Sequence, residues 1–195
     1  WALLKDSSFR TPALAGAFSY AAMFAYIGAA SAILMDHFGV LAQNFGWYFG
    51  VNALGVIVMS QVNGRLVGHF HLLKILHAGV ILQVVSGLWM LMLALSGQDT
   101  LMSVMIGLFG VVAGVGLTGA NSNALALAQQ GSRAGSASAL QGALQFALSL
   151  ISGLIVHELM FNALTNLSIV IVGCTLLSLG LVLIISARNK RLAML

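Results

Sequence analysis

Apolar residues in this chain fall in long blocks separated by short polar joints, and the length of those blocks is the first signal to read. A helix needs about 20 predominantly apolar residues to cross the hydrocarbon core of a bilayer. Six blocks reach that length, at residues 13–35, 45–67, 75–95, 101–127, 138–156 and 167–187. The pattern predicts an all-α integral membrane fold of six transmembrane helices in one domain. Residues 1–12 read as the end of a cytoplasmic connection, and 188–195 as a basic cytoplasmic tail. No internal repeat is legible in the residue identities.

Polar residues inside the blocks are themselves patterned. At about 100° per residue, Ser138, Gln141, Gln145, Ser149 and Ser152 share one arc of the fifth block, with Gly135, Gly142 and Gly153 beside it. Leu144, Leu148, Ile151 and Ile155 lie on the other side. Such a helix turns a greasy side to lipid and a small, amide-bearing side to protein or water. Either glutamine alone reads equally well as interhelical glue, whereas two amides one turn apart read better as a cavity wall.

The fourth block places Gly107, Gly110, Gly114, Thr118 and Asn121 on one stripe, which reads as a helix-packing surface. Asn121 and Asn123, near the end of that block, read as gate or cap groups. In the first block Tyr20, Met23, Phe24, Ile27 and Ser31 share a face, and aromatic plus methionine surface suits a pocket for varied apolar compounds. Asn52 lies deep enough in the second block to need a partner. The pattern leaves the directions of Gln61 and Gln83 open.

Composition removes any soluble alternative. The chain is 60% hydrophobic and 6% charged, and eight Lys and Arg with four Asp and Glu cannot supply a polar shell for 195 residues. Charge then sets orientation, because Lys and Arg accumulate in short cytoplasmic loops. Lys5, Arg10, Arg65, Lys74, Arg133, Arg188, Lys190 and Arg191 all fall on one side of the six spans, while Asp36, Asp99 and Glu158 fall on the other. Both ends are therefore expected to be cytoplasmic. The basic residues are scattered, not gathered in a patch, so no nucleic-acid partner is expected. The chain begins at Trp1 instead of Met, and is expected to be a fragment or a processed piece.

Candidate chemistry is sparse. No Asp, Glu, Lys or Arg lies at the middle of a block, so no embedded proton or ion relay is expected in this stretch. His69 and His71 offer two metal ligands without a third, and no metal site is expected. Cys174 stands alone in an apolar run, which leaves no disulfide framework. No HExxH, P-loop or dinucleotide glycine pattern is present, so an enzyme is not expected.

The loop NGRLVGHFHLLKIL resembles the cytoplasmic signature of the major facilitator superfamily. Gly64, Leu66, His69, His71 and Lys74 occupy matching places, and Gly68 stands where the family's usual aspartate would be. The stretches FGWYFGVNALGVIVMSQVNGRL and NSNALALAQQGSRAGSASALQGALQFALS resemble the bicyclomycin-resistance (Bcr/CflA) group of multidrug exporters.

The resemblance spans essentially the whole chain as the C-terminal half of a twelve-helix fold, with a three-plus-three inverted repeat. It implies an antiporter of the cell inner (cytoplasmic) membrane that exports drugs or other small amphipathic molecules by alternating access. The lipid bilayer and an N-terminal six-helix half would be its partners. No cofactor is implied; the proton gradient would act through carboxylates in that other half. Tyr20, Met23, Phe24, Ile27, Asn52, Gln141 and Gln145 would then face the substrate cavity, with Gly64, Arg65, Lys74 and Arg133 in the gating loops. The rival reading is a half-size dimeric carrier or a non-transporting six-helix interaction module.

Overall fold

The computed structural model describes residues 2–192, with side chains for 3–189. Hydrocarbon gives a backbone N–H or C=O no partner outside its own segment, so apolar blocks of this length become helices. After a short α1 (Ala2–Lys5), α2 (Ser7–Ser31) runs on through a π-helical turn (Ala32–His37). Then come α3 (Ala42–Leu66), α4 (Leu72–Ser96), α5 (Leu101–Leu127), a 3-10 turn (Gly131–Arg133), α6 (Ala134–Glu158) and α7 (Ala163–Leu192). The six helices α2 to α7 are long and apolar enough to cross a membrane, and no strand occurs among the described residues. The expected basic tail overlaps the end of α7, and residues 193–195 lie outside the described residues.

α2 starts well ahead of its apolar block because Asp6 caps it. The Asp6 carboxylate accepts from the backbone N–H and the hydroxyl of Ser8, at 2.9 and 2.7 Å. Gln130, in the turn after α5, donates to the same carboxylate at 3.2 Å. Phe9 is fully buried beside Leu3, Ala13, Ala126 and Ala137, so the polar opening of the chain packs on the bundle instead of trailing from it. At the opposite end His37, in the π-helical turn, contacts Asp99 in the joint between α4 and α5. Gly39 then breaks the helix with φ +67, a conformation a side chain would strain.

The packing reveals the repeat that residue identities conceal. α2 packs extensively on α6 and α7, α5 on α3 and α4; α2 meets α5, and α4 meets α7. Exchanging α2 with α5, α3 with α6 and α4 with α7 returns the same set of contacts. This is a three-plus-three repeat, half of a major facilitator fold. α5 is the most buried span, and α3 and α6 are the least.

Glycine decides which helices approach most closely. A Cβ added to Gly107 would strike Met90, one on Gly110 would strike Ser86, and one on Gly114 would lie 2.9 Å from the Gly79 carbonyl oxygen. All three therefore face α4. Gly116 serves α3 instead, since its Cβ would fall 2.8 Å from the Val56 carbonyl oxygen and the Ser60 nitrogen. By contrast, nothing lies within 4 Å of the Cβ positions of Gly46, Gly50 and Gly64 on α3, or of Gly135, Gly142 and Gly153 on α6.

Two outcomes follow from this packing. Gly114→Val should overpack the α4–α5 contact and lower unfolding stability by about 1–3 kcal/mol or more, whereas Gly142→Ala should leave it unchanged; denaturant titration of the purified protein checks both. The second outcome concerns Asp6, whose hydrogen bonds from the Ser8 side chain, the Ser8 backbone and Gln130 lower its pKa from 3.8 to about 2. A carboxylate depressed in the folded state stabilises above its unfolded pKa and loses that contribution as pH falls through the folded value. The stability gap between the wild type and Asp6→Asn should therefore be constant near neutral pH and close between about pH 4 and pH 2.

Candidate functional site

The polar side chains inside the bundle divide into those the fold satisfies and those it does not. Gln83, fully buried on α4, belongs to the first set. Its side-chain oxygen accepts from the Ser19 hydroxyl at 2.8 Å, and its Nε2 donates to the Val111 carbonyl at 3.0 Å. The Ser19 hydroxyl also meets that of Thr118, so one amide joins α2, α4 and α5. On α3, the Asn63 side-chain oxygen accepts from Asn121 on α5 at 2.6 Å, and the same Asn121 amide donates to the Leu117 carbonyl.

The second set lies on α3 and α6. Asn52 is 1% exposed; its Nδ2 donates to the Tyr26 hydroxyl at 2.9 Å, yet its Oδ1 has no protein partner. Gln141 is equally buried, and neither its oxygen nor its nitrogen has a partner. Gln141 Nε2 sits 3.8 Å from where a Cβ on Gly16 would be, and such a Cβ would also collide with Ser122. Gly16 thus makes the room in which α2, α5 and α6 meet around this amide. An unbonded buried amide is costly, about 1–3 kcal/mol for each group.

One turn and more along α6 the surroundings become apolar. Phe24, Ile27 and Gly28 on α2 face Phe146, Ser149, Leu150 and Gly153 on α6 across a groove of about 390 Å³. The rings of Phe24 and Phe146 meet edge to face, with centroids 5.9 Å apart. Tyr20 stands half-buried next to Gly119, whose added Cβ would lie 2.8 Å from the tyrosine hydroxyl. Met23 is half-buried and packs against the main core. Gln145 is half-buried, and its backbone carbonyl accepts from the Ser149 hydroxyl at 2.7 Å.

Of the residues expected to line one cavity, Phe24 and Ile27 meet α6 at the groove, Gln141 and Gln145 lie short of it along α6, Tyr20 lies against Gly119 of α5, Met23 packs against the main core, and Asn52 stands at a separate α2–α3–α5 junction. α6 also has a third face that a two-sided reading misses. Phe146, Leu150 and Leu154 are strongly exposed there, between the serine stripe buried on α2 and the Ile151 and Ile155 side that borders α7. Ser152 on that stripe donates to the Ala21 carbonyl at 2.9 Å.

The loop residues stand at the basic end of the bundle. Gly64, Arg65, Lys74 and Arg133 are all exposed. His69 and His71 turn to different backbone groups: the His69 ring meets the Arg65 carbonyl, and His71 accepts from the Leu73 N–H. Sequence reasoning missed Tyr26 as the partner of Asn52 and Gly16 as the space for Gln141. Nothing in the period of α2 marks Tyr26, because it belongs to the buried side of that helix.

A six-helix membrane unit built as a three-plus-three repeat, with a polar and aromatic patch between its first and fifth spans, defines the class as a transporter-type helical half. No family model matches the chain. The chain is 34% identical over 154 residues to an uncharacterized MFS-type transporter, YdgK, of Bacillus subtilis strain 168, which covers 78% of this chain and 38% of that protein. It is 26% identical over 177 residues to a bicyclomycin resistance protein homolog of Haemophilus influenzae, covering 91% of this chain and 44% of that protein. The chain spans less than half the length of these relatives. These relatives bear out the resemblance to the Bcr/CflA-like transporters of the major facilitator superfamily, and with its six spans the chain is a multi-pass membrane protein.

The division between satisfied and unsatisfied amides is testable on stability alone. Gln83→Leu should destabilise the protein by about 1–2 kcal/mol, since it strips the interhelical bonds to Ser19 and Val111 and leaves the Ser19 hydroxyl with Thr118 alone. Gln141→Leu, which removes no bond, should leave stability unchanged or raised. Unfolding in mixed detergent micelles checks the contrast.

Proposed function

We infer that this chain is the C-terminal half of a proton-driven exporter of drugs or other small amphipathic molecules, working by alternating access in the cytoplasmic membrane with both ends of the chain cytoplasmic. The observation that carries the reading is Gln141, a buried amide with both polar atoms unpartnered, one turn and more along α6 from an aromatic groove. A ligand with an apolar body and one or two polar groups has the matching chemistry, because a few convergent polar groups in an apolar cleft fix orientation while the cleft supplies affinity.

The exposed faces of α3 and α6 support a partner half. They carry the open glycines and the large exposed side chains Trp47, Leu54, Phe146 and Leu150. An N-terminal six-helix unit seated there would enclose Gln141, Gln145, Asn52, Tyr20, Phe24 and Ile27 between two halves near the bilayer midplane. It would also supply the coupling carboxylate, since the middles of these spans hold no Asp, Glu, Lys or Arg. Gly64, Arg65, Lys74 and Arg133 form the cytoplasmic rim that closes against that half. The basic residues at one end of the bundle support the orientation.

The test is efflux by the full-length transporter in proteoliposomes under an imposed pH gradient. The double variant Gln141→Leu, Gln145→Leu should slow export of at least one substrate by about fivefold or more, the loss of one hydrogen bond to a buried amide. Unaltered export of every substrate transported by the wild type would remove both residues from the cavity.

A further inference from the structure

A second cavity, of about 370 Å³, opens at the basic end of the bundle, between the starts of α2 and α4 and the ends of α5 and α7. It shares no residue with the aromatic groove or the unpartnered amides. Its polar lining is Ser7, Ser8, His71, Gln129, Arg188 and Asn189, with the Ser8 hydroxyl already given to Asp6. Pro12, Leu125 and Ile185 give it an apolar part of similar extent.

The polar groups there are donors that the fold leaves over. His71 caps α4 through Nδ1, which accepts from the Leu73 N–H at 3.3 Å. A ring nitrogen that accepts carries no proton, so in this capping role the proton rests on Nε2, free to be donated. Among the described residues no carboxylate pairs with Arg188, and no hydrogen bond engages the side chains of Arg188, Gln129 or Asn189. The nearest acid in sequence, Asp6, is occupied by Ser8 and Gln130. A guanidinium, an imidazole N–H and two amides thus line one cavity, and among the described residues no carboxylate is bonded to any of them.

We propose that this cavity holds the phosphodiester headgroup of an anionic phospholipid. A guanidinium pairs bidentately with phosphate oxygens, and basic pockets between membrane helices at the cytoplasmic surface suit such headgroups. The apolar part separates a lipid from a free phosphate: Leu125 and Ile185 have nothing to offer an inorganic ion, but they match glycerol and the first acyl carbons. Because the cavity touches α2, α4, α5 and α7, the lipid fastens the ends of both triplets of the repeat.

The experiment uses the full-length protein in nanodiscs of phosphatidylcholine, alone or doped with phosphatidylglycerol, read by thermal unfolding and by the phosphatidylglycerol retained on extraction. The wild type should be stabilised by phosphatidylglycerol and should retain it. Arg188→Gln should weaken the titration about fivefold, the effect of one cation near an anionic headgroup. Gln129→Glu, which places a negative charge in the same cavity at an exposed position, should weaken it at least as much while unfolding like the wild type in phosphatidylcholine. Arg65→Gln, on the rim at the end of α3, should leave the titration unchanged. Equal weakening by Arg65→Gln, or full retention by either cavity variant, would overturn the proposal. So would stabilisation by inorganic phosphate in phosphatidylcholine alone, which would mark a free-anion site.

Discussion

Hydrocarbon offers a polar group nothing to bond to, so every amide and hydroxyl that this chain carries into the membrane must find another helix or remain costly. The scaffold is built on that constraint. Ser, Thr and Asn side chains bond back to their own helices or reach a neighbour's carbonyl, as Ser178 does to Ala15 and Ser152 to Ala21, at 2.8 and 2.9 Å. Gln83 satisfies three helices at once. Such bonds are worth only about 1 kcal/mol each in a bilayer. Their larger role is to fix register, because a helix slid by one residue would strand its partner.

Register in turn lets glycine do the packing. Lipid tails are as apolar as the side chains, so helices gain little by hiding grease and must gain from close contact. α5 meets α4 and α3 through separate glycines, and this is why the centre of the bundle is dense. On α3 only Gly55 is used this way, against Phe109 and Ala113 of α5, while Gly46, Gly50 and Gly64 and the three glycines of α6 meet nothing. The open glycines leave α3 and α6 room for a close neighbour, as Gly173 and Gly180 do on α7.

How much of this was legible in the sequence follows from what each signal measures. Apolar block length reports the bilayer thickness and so locates the spans, but it stops where the hydrocarbon stops. The capped, Phe9-anchored start of α2 lies beyond that limit and was read as a connection. Glycines three and four residues apart at Gly107, Gly110 and Gly114 report a packing face, though not which helix fills it. Period also gave the amide arc of α6, yet a helical wheel cannot say that α2 covers the arc and leaves Phe146 and Leu150 bare. The repeat was invisible because contact order, and not residue identity, is what the two triplets share. Gln83, Tyr26 and Gly16 acquire meaning only from helices distant in sequence.

The unsatisfied atoms then carry information that the satisfied ones do not. Evolved bundles leave few buried amides unbonded, since each unpaired group costs about 1–3 kcal/mol. Among the described residues, the unpaired buried atoms within the spans, Asn52 Oδ1 and both of Gln141, belong to α3 and α6, and none to α4, α5 or α7. Random imperfection would scatter them over the helices. Their confinement to the two least buried helices, which the repeat exchanges with each other, means that the cost is concentrated where the surface is unfinished. α2 is the hinge of that arrangement: Ser19 ties it to the satisfied core, while Tyr26 and Gly16 place it against Asn52 and Gln141. Whatever completes the amides therefore acts on a helix already bonded into the core, and a polar group lodging at Gln141 is felt by α2, α5 and α6 together.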